Sequence, residues 1–334
     1  MTLPISDDLL HSPGDEQNFN ESMYFNFYDR TQEIGGFLRI GNRVNEGHAE
    51  MTMCIFLPGG GALFDFARAP MVDNLAFNTG QMVFTALEPL VRHRSTYRGT
   101  PIQMDDPLVL ADPGVAFRSS PRAEVALDLV HDATGPMFEP PPYGLAHAFA
   151  LEFPSSEGRK TISDSVAVIQ HHNEQHMRVR GEVVVAGKAY QIDGLGMRDH
   201  SWGPRTWATG GHSRWLTVCL QDGLGVMVQD LGRPDGSRLL TGVVVRGDEM
   251  DWMQRLEVDT EWDGRFHKAL QVRFTTESGE RGTLIGTVKN LVPLRHRGSQ
   301  LVTRVGEGLT EYRLGDIVGY GLSEYFDSEA IAAT

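Results

Sequence analysis

Fifteen consecutive residues, Asp193 to Trp207, read DGLGMRDHSWGPRTW and bring together two acids, two arginines, a histidine, a serine, two tryptophans and three glycines. Such a mixture suits proton chemistry. Asp199 is a proton donor where its carboxyl is desolvated, and His200 donates or accepts near neutrality. Arg198 or Arg205 can hold an anion or lower a neighbouring acid's pKa, while Trp202 and Trp207 offer π faces to an unsaturated ligand or a developing cation. The same residues also suit a structural corner, in which Arg198, Asp199 and Arg205 form an ion-pair network and the tryptophans plug a core. These roles oppose each other at Asp199. Burial among tryptophans raises its pKa and keeps a proton on it, whereas pairing with either arginine lowers it.

Other clusters carry weaker signals. The run His171-His172-Asn173-Glu174-Gln175-His176 places His172 and His176 four apart, a metal-ligand spacing on a helix, but it leads straight into a strand. On a strand the two share a face about 13 Å apart, so no metal is expected, and His176, Gln175 or Glu174 instead reach a cavity mouth. Pro58-Gly59-Gly60-Gly61 lacks the Gly-Lys-Ser/Thr of a phosphate loop, and no G-x-S-x-G elbow surrounds Ser201. Nucleotide binding and acyl transfer are therefore disfavoured. Tyr24 and Asn26, alternating in an N-terminal strand, and Tyr320 and Glu324 near the other end complete the candidates.

These side chains must be positioned by strands. Thirty-seven glycines and seventeen prolines divide the chain into short runs rich in β-branched and aromatic residues. The clearest hairpin is MRVRGEVVVAGKAYQIDGLGMRD, turning at Ala186-Gly187-Lys188. Similar hairpins turn at Asp222-Gly223 and Ser278-Gly279, and in the first half at Asn45-Glu46-Gly47 and Pro58-Gly59-Gly60-Gly61. A short helix is expected within MVDNLAFNTGQMVFTALEPL, a loop over Asp105–Pro113 and a strand at LAHAFALEF. The spacing predicts more than a third of residues in strands and less than about a fifth in helix. A Pro/Gly cluster at 135–144 interrupts the chain, and the tightest hairpin begins near 176. The expected organisation is a tail over 1–20, a first β domain over 21–178 and a second over 179–328.

The net charge of −14 repels phosphate backbones and anionic lipid, so nucleic acid is not an expected partner. Two cysteines, Cys54 and Cys219, cannot build a disulfide framework, though one bridge between them is compatible with the count. The first twenty residues lack the basic and apolar regions of a signal peptide, and no apolar run approaches the roughly 18 residues of a membrane span. A cytoplasmic protein without membrane insertion is the expectation.

The run GLGMRDHSWGPR, preceded by the hairpin RGEVVVAGKAYQIDG, resembles the second-domain signature of the lipocalin-like families that include carotenoid 1,2-hydratase (hydroxyneurosporene synthase) and AttH-type proteins. Within them it looks closest to a bacterial branch reading G-x-G-x-R-D-H-S-W-G-x-R. The C-terminal EGLTEYRLGDIVGYGLSEYF, with Glu307, Tyr312, Tyr320, Gly321, Glu324 and Tyr325, is a second match. The resemblance implies an all-β fold of two lipocalin-like antiparallel β-barrel halves packed together, with few short helices, and a pocket for an apolar or isoprenoid-like ligand. Relatives of this architecture include a hydratase acting on a terminal isoprenoid double bond and cofactor-free cyclases.

The reading that follows is a cofactor-independent lyase or isomerase (hydratase, dehydratase or cyclase). It acts on an apolar, alkene-bearing, isoprenoid- or polyketide-like small molecule by proton transfer in a β-barrel cavity. Asp199 is the acid and His200 relays or replaces its proton. Arg198, Trp202, Arg205, Trp207, His176, Tyr24, Tyr320 and Glu324 bind the substrate. No metal, nucleotide or other cofactor is expected, and a homodimer is compatible with this partner set. The alternative is a non-catalytic lipocalin-like carrier of an apolar ligand.

Overall fold

Strands make up 70% and helices 7% of the described residues in a computed structural model that describes residues 3–140, 171–205, 211–232, 236–297 and 301–330. The all-β expectation is met. The strands of the first unit are β1 (Phe19–Asp29), β2 (Ile34–Arg43), β3 (His48–Phe56), β4 (Ala62–Pro70), β5 (Phe77–Asn78), β6 (Met82–Glu88), β7 (Arg92–Gly99), β8 (Ile102–Met104), β9 (Val125–Ala133), β10 (His171–Val185) and β11 (Lys188–Pro204). They form one antiparallel sheet in the order β5-β6-β7-β9-β10-β11-β1-β2-β3-β4-β8, curled as a half-barrel. Its concave face buries Phe25, Phe27, Leu38, Met53, Phe84, Leu129 and Val179 in one apolar cluster.

Turn chemistry explains the hairpins. Ala186 (φ 49°) and Gly187 (φ 82°) join β10 to β11 through two left-handed residues, the backbone that a two-residue hairpin with right-handed strand twist requires. Over 71–90, where a helix was expected, the chain instead forms β5 and β6, because Asn78-Thr79-Gly80 turns it back into a hairpin. The helix α1 (Pro113–Ser119) begins at the end of the expected loop. Asp112 caps it by accepting from the Val115 N–H at 3.2 Å, and Pro113 occupies its first turn. The strand expected at LAHAFALEF lies outside the described residues.

The division expected at 178/179 falls inside β10. Because β11 is hydrogen-bonded between β10 and β1, the whole RDHSWG stretch belongs to the first unit, which extends through Arg205. The motif glycines serve that pairing. A Cβ on Gly196 would lie 1.9 Å from the Asn26 carbonyl oxygen, and one on Gly194 2.4 Å from that of Tyr28. Gly196→Ala should therefore lower stability by about 1–3 kcal/mol, read as a reduced urea midpoint. An unchanged midpoint would show that β1 and β11 need not approach so closely.

The second unit is a closed eight-stranded barrel of β12 (His212–Gln221), β13 (Leu224–Gly232), β14 (Arg238–Arg246), β15 (Glu249–Asp263), β16 (Phe266–Thr276), β17 (Arg281–Arg297), β18 (Leu301–Leu314) and β19 (Ile317–Ala330), with β19 pairing back to β12. Its interior is packed with Leu216, Val228, Val272, Leu284 and Tyr312. Cys54 and Cys219 are both buried and are not joined in a disulfide. Among the described residues no helix is long and apolar enough to cross a membrane.

Candidate active site

β11 carries Arg198, Asp199 and His200 as consecutive strand residues, so their side chains alternate between faces. Arg198 and His200 lie opposite Phe25 and Met23, members of the concave core, whereas Asp199 lies between Tyr24 and Glu174 on the reverse face. The proposed corner of Arg198 with Asp199 therefore does not form. For the same reason His200 does not stand beside Asp199 to relay its proton.

On the concave side Arg198, 1% exposed, pairs with Asp8 at 2.6 Å and donates through Nε to Gln175 Oε1 at 2.9 Å. Asp8 also accepts the Leu90 backbone N–H and lies 3.2 Å from His93 Nε2. Burial by itself would raise the Asp8 pKa, but His93 and Arg198 prevail and hold it well below the usual carboxylate range. The segment expected as a tail is thus an anchored plug, and Arg198 is committed to it.

Glu21, also buried, lies 2.8 Å from His11 Nδ1 and 3.0 Å from His200 Nε2, and accepts from the Asn74 amide at 2.5 Å. The ligand atoms of His11, Glu21 and His200 fall within 4.8 Å of one another, a set able to hold a metal ion. Direct hydrogen bonding to Glu21 already accounts for the grouping, with the other His200 nitrogen 3.1 Å from the Asp7 carbonyl. Trp202 stacks on His11 at 3.8 Å and on His171 at 4.7 Å, so its ring is engaged by the protein instead of offering a ligand platform.

The reverse face holds the second cluster. One row of cross-strand partners runs Glu174, Asp199, Tyr24, Arg39, Thr52 from β10 to β3, and the next contains His172, Ser201 and Ser22. His172 Nε2 is in contact with Asp199 Oδ2 and 3.4 Å from Glu174 Oε1. All three residues are buried. Burial by itself would raise the Asp199 pKa, but the His172 charge and hydrogen bond, followed by Arg205, lower it. Burial would lower that of His172, but Asp199 and Glu174 raise it. The pair therefore favours imidazolium and carboxylate, which places the proton on His172 and leaves Asp199 as its counter-charge. Arg39 is brought down to about 10 by burial and by Arg205, with Glu50 3.8 Å away opposing the shift. Aromatic rings border this polar row: Tyr24 stacks with Phe37 at 6.0 Å, and Phe138 lies 6.4 Å from His176.

Of the residues singled out from sequence, Asp199, Tyr24, Arg205 and His176 belong to this face or touch its row. Arg198, His200 and Trp202 face the concave core. Trp207 lies outside the described residues. His172 was weighed only as a metal ligand, yet β10 is a strand, and its period of two sets His172, Glu174 and His176 on one face. That alternation was the available signal. Asp8 had none, because its partners Arg198 and His93 are remote in sequence.

Tyr320 and Glu324 lie in the second unit. Tyr320 donates to Glu311 at 2.9 Å, and Glu324 stands directly opposite Glu307 across β18 and β19. Burial, then the Glu324 charge, raises the Glu307 pKa well above the ordinary carboxyl value. An acid with a raised folded-state pKa contributes stability below its unfolded value of 4.5 and loses it as pH rises through the folded value. Glu307→Gln should accordingly melt higher than wild type at pH about 8, with the gap closing toward pH 4.5. A pH-independent difference would mean that the two carboxyls do not share a proton.

The family profile described as Domain of unknown function (DUF7064) matches residues 4–329. The chain belongs to this family. No curated protein matches it in sequence. Among solved structures, a Nitrosomonas europaea protein described as an AttH aligns with TM-score 0.64 at 15% identity, covering 97% of each chain. CghA, crystallised with Sch210972, aligns with TM-score 0.54 at 9% identity over 93% of this chain and 89% of its own. Kievitone hydratase from Nectria haematococca aligns with TM-score 0.52 at 12% identity over 97% and 92%. The family member described here thus has the fold of AttH-type, lipocalin-like proteins, as the RDHSWG resemblance implied.

Proposed function

We propose that the protein is a proton-transfer enzyme of the hydratase/lyase or isomerase/cyclase kind acting on an apolar, alkene-bearing small molecule, with His172 and Asp199 as its acid–base pair. The observation that carries this reading is the buried His172–Asp199 contact beside Glu174, in a row bordered by Tyr24 and Phe37. His172 gives its proton to one alkene carbon and the adjacent carbon becomes cationic. Water adds there in a hydration, or a neighbouring C–H proton leaves in an isomerisation, and the released proton returns to His172. Asp199 keeps the imidazole charged beforehand and stabilises it on return. Support from similar folds is limited to their names: one is a hydratase, and another was crystallised with a small molecule.

Native mass spectrometry of the purified chain, followed by organic extraction, should yield a retained apolar compound. Incubated in D2O with wild-type protein, that compound should gain carbon-bound deuterium or convert, and with His172→Gln it should do neither. Recovery of the compound unchanged and unlabelled by the wild type would favour the carrier alternative.

A further inference from the structure

Glu21 on β1 and His200 on β11 are diagonal neighbours, since His200 lies opposite Met23 and Glu21 opposite Trp202, and both side chains reach the concave face. His11, from the N-terminal plug, meets them there. Its backbone N–H donates to both Glu21 carboxylate oxygens, at 3.2 and 3.0 Å, and its Nδ1 stands 2.8 Å from Oε1. The Asn74 amide donates to Glu21 Oε2 and to the His11 carbonyl. Amides thus hold Oε2, and Oε1 is the oxygen turned to both imidazoles.

The two nitrogens of His200 impose a condition on this group. Nδ1 lies 3.1 Å from the Asp7 carbonyl oxygen and Nε2 lies 3.0 Å from Glu21 Oε1. Both facing atoms are acceptors, whereas a neutral imidazole offers one N–H and one lone pair. With the Nδ1–H given to the carbonyl, the Nε2 lone pair points at a carboxylate oxygen. The hydrogen bonds of the group therefore hold only with a second proton on Nε2, and a metal ion satisfies the same contact by taking that proton's place. A backbone carbonyl on the far ring nitrogen is the usual support of a metal-bound imidazole. The donor set fixes the class of ion. Two imidazole nitrogens and one carboxylate oxygen, all within 4.8 Å of one another, suit a zinc-type transition ion and not Mg²⁺ or Ca²⁺, which take oxygen ligands.

We infer that His11 Nδ1, Glu21 Oε1 and His200 Nε2 form a binding site for a divalent transition ion of the zinc class, which ties the N-terminal segment to β1 and β11. The Glu21 and His200 side chains are fully buried and that of His11 is 23% exposed, so the ion enters from the His11 side. Asp199 is on the opposite face of β11, so the His172–Asp199 reading stands or falls separately. The full chain, stripped with a chelator and titrated with Zn²⁺ against a chromophoric competitor, should bind one ion and melt higher with it than without. Mg²⁺ in about hundredfold excess should not displace it. Co²⁺ in the same site should give the intense visible bands of four-coordinate ligation. His11→Gln, at a partly exposed position, should fold and lose about 100-fold or more in Zn²⁺ affinity, since changes to outer-shell partners already cost about 10–100-fold. His171→Gln removes an exposed imidazole that stacks on Trp202 outside the ligand set, and should keep both the affinity and the melting shift. Absence of saturable Zn²⁺ binding, full affinity in His11→Gln, or lost affinity in His171→Gln would overturn the assignment. So would a weak six-coordinate Co²⁺ spectrum of the wild type, a result that needs no variant.

Discussion

Asp199→Asn is expected to lower turnover by about 10²–10⁴, the usual range for loss of one acid–base group. The route is through His172. Asn cannot supply the negative charge that raises the His172 pKa, so burial, which pushes the imidazole the other way, gains weight against the remaining Glu174 charge, and less of the acid is protonated near neutrality. The alkaline limb of the pH–rate profile should move to lower pH, an effect that a merely structural substitution does not produce.

Stability should change in a defined window. The raised His172 pKa contributes stability that is complete below its unfolded value of 6.5 and lost as pH climbs through the folded value. The lowered Asp199 pKa contributes stability present above 3.8 and lost as pH falls through the folded value. The difference in melting temperature between wild type and Asp199→Asn should therefore be greatest between those limits and shrink on either side. Arg198 is not stranded by the change, since its partner Asp8 is on the opposite face of β11. Wild-type rate and an unshifted profile in the variant would remove the pair from the mechanism.

Asp8→Ala should have the largest effect on folding, about 3–5 kcal/mol, because it leaves Arg198 charged, buried and without its carboxylate. The Asp8 pKa is lowered, so this stability is present above the unfolded value of 3.8 and lost as the solution is acidified through the folded value. Urea unfolding at neutral pH checks the magnitude, and the same series near pH 2 should show a smaller gap. A loss under about 1 kcal/mol at neutral pH would mean that the N-terminal segment leaves the concave face readily and that water solvates Arg198.

Periodicity and turn residues are local properties, which is why so much of the architecture was legible. The Ala186-Gly187 and Asp222-Gly223 hairpins need only a few adjacent residues to define them, and alternating apolar positions fall on one face whatever strand lies alongside. The same local reading misplaced a helix at 71–90, where apolar residues at mixed spacing suit either state until a neighbouring strand offers hydrogen bonds.

The RDHSWG run marked Asp199 as a chemical residue from sequence by itself, through its density of acid, base and aromatic groups. Its partners were decided by tertiary structure. Strand pairing sent Asp199 to His172 and Glu174, and sent Arg198 to Asp8, 190 positions away, and His200 to Glu21, 179 away. A carboxyl's proton affinity depends on the charges and burial within a few ångströms, and a strand gives neighbours in sequence to opposite faces. Which groups share that small volume is therefore set by register between distant segments, and only the folded chain contains that information.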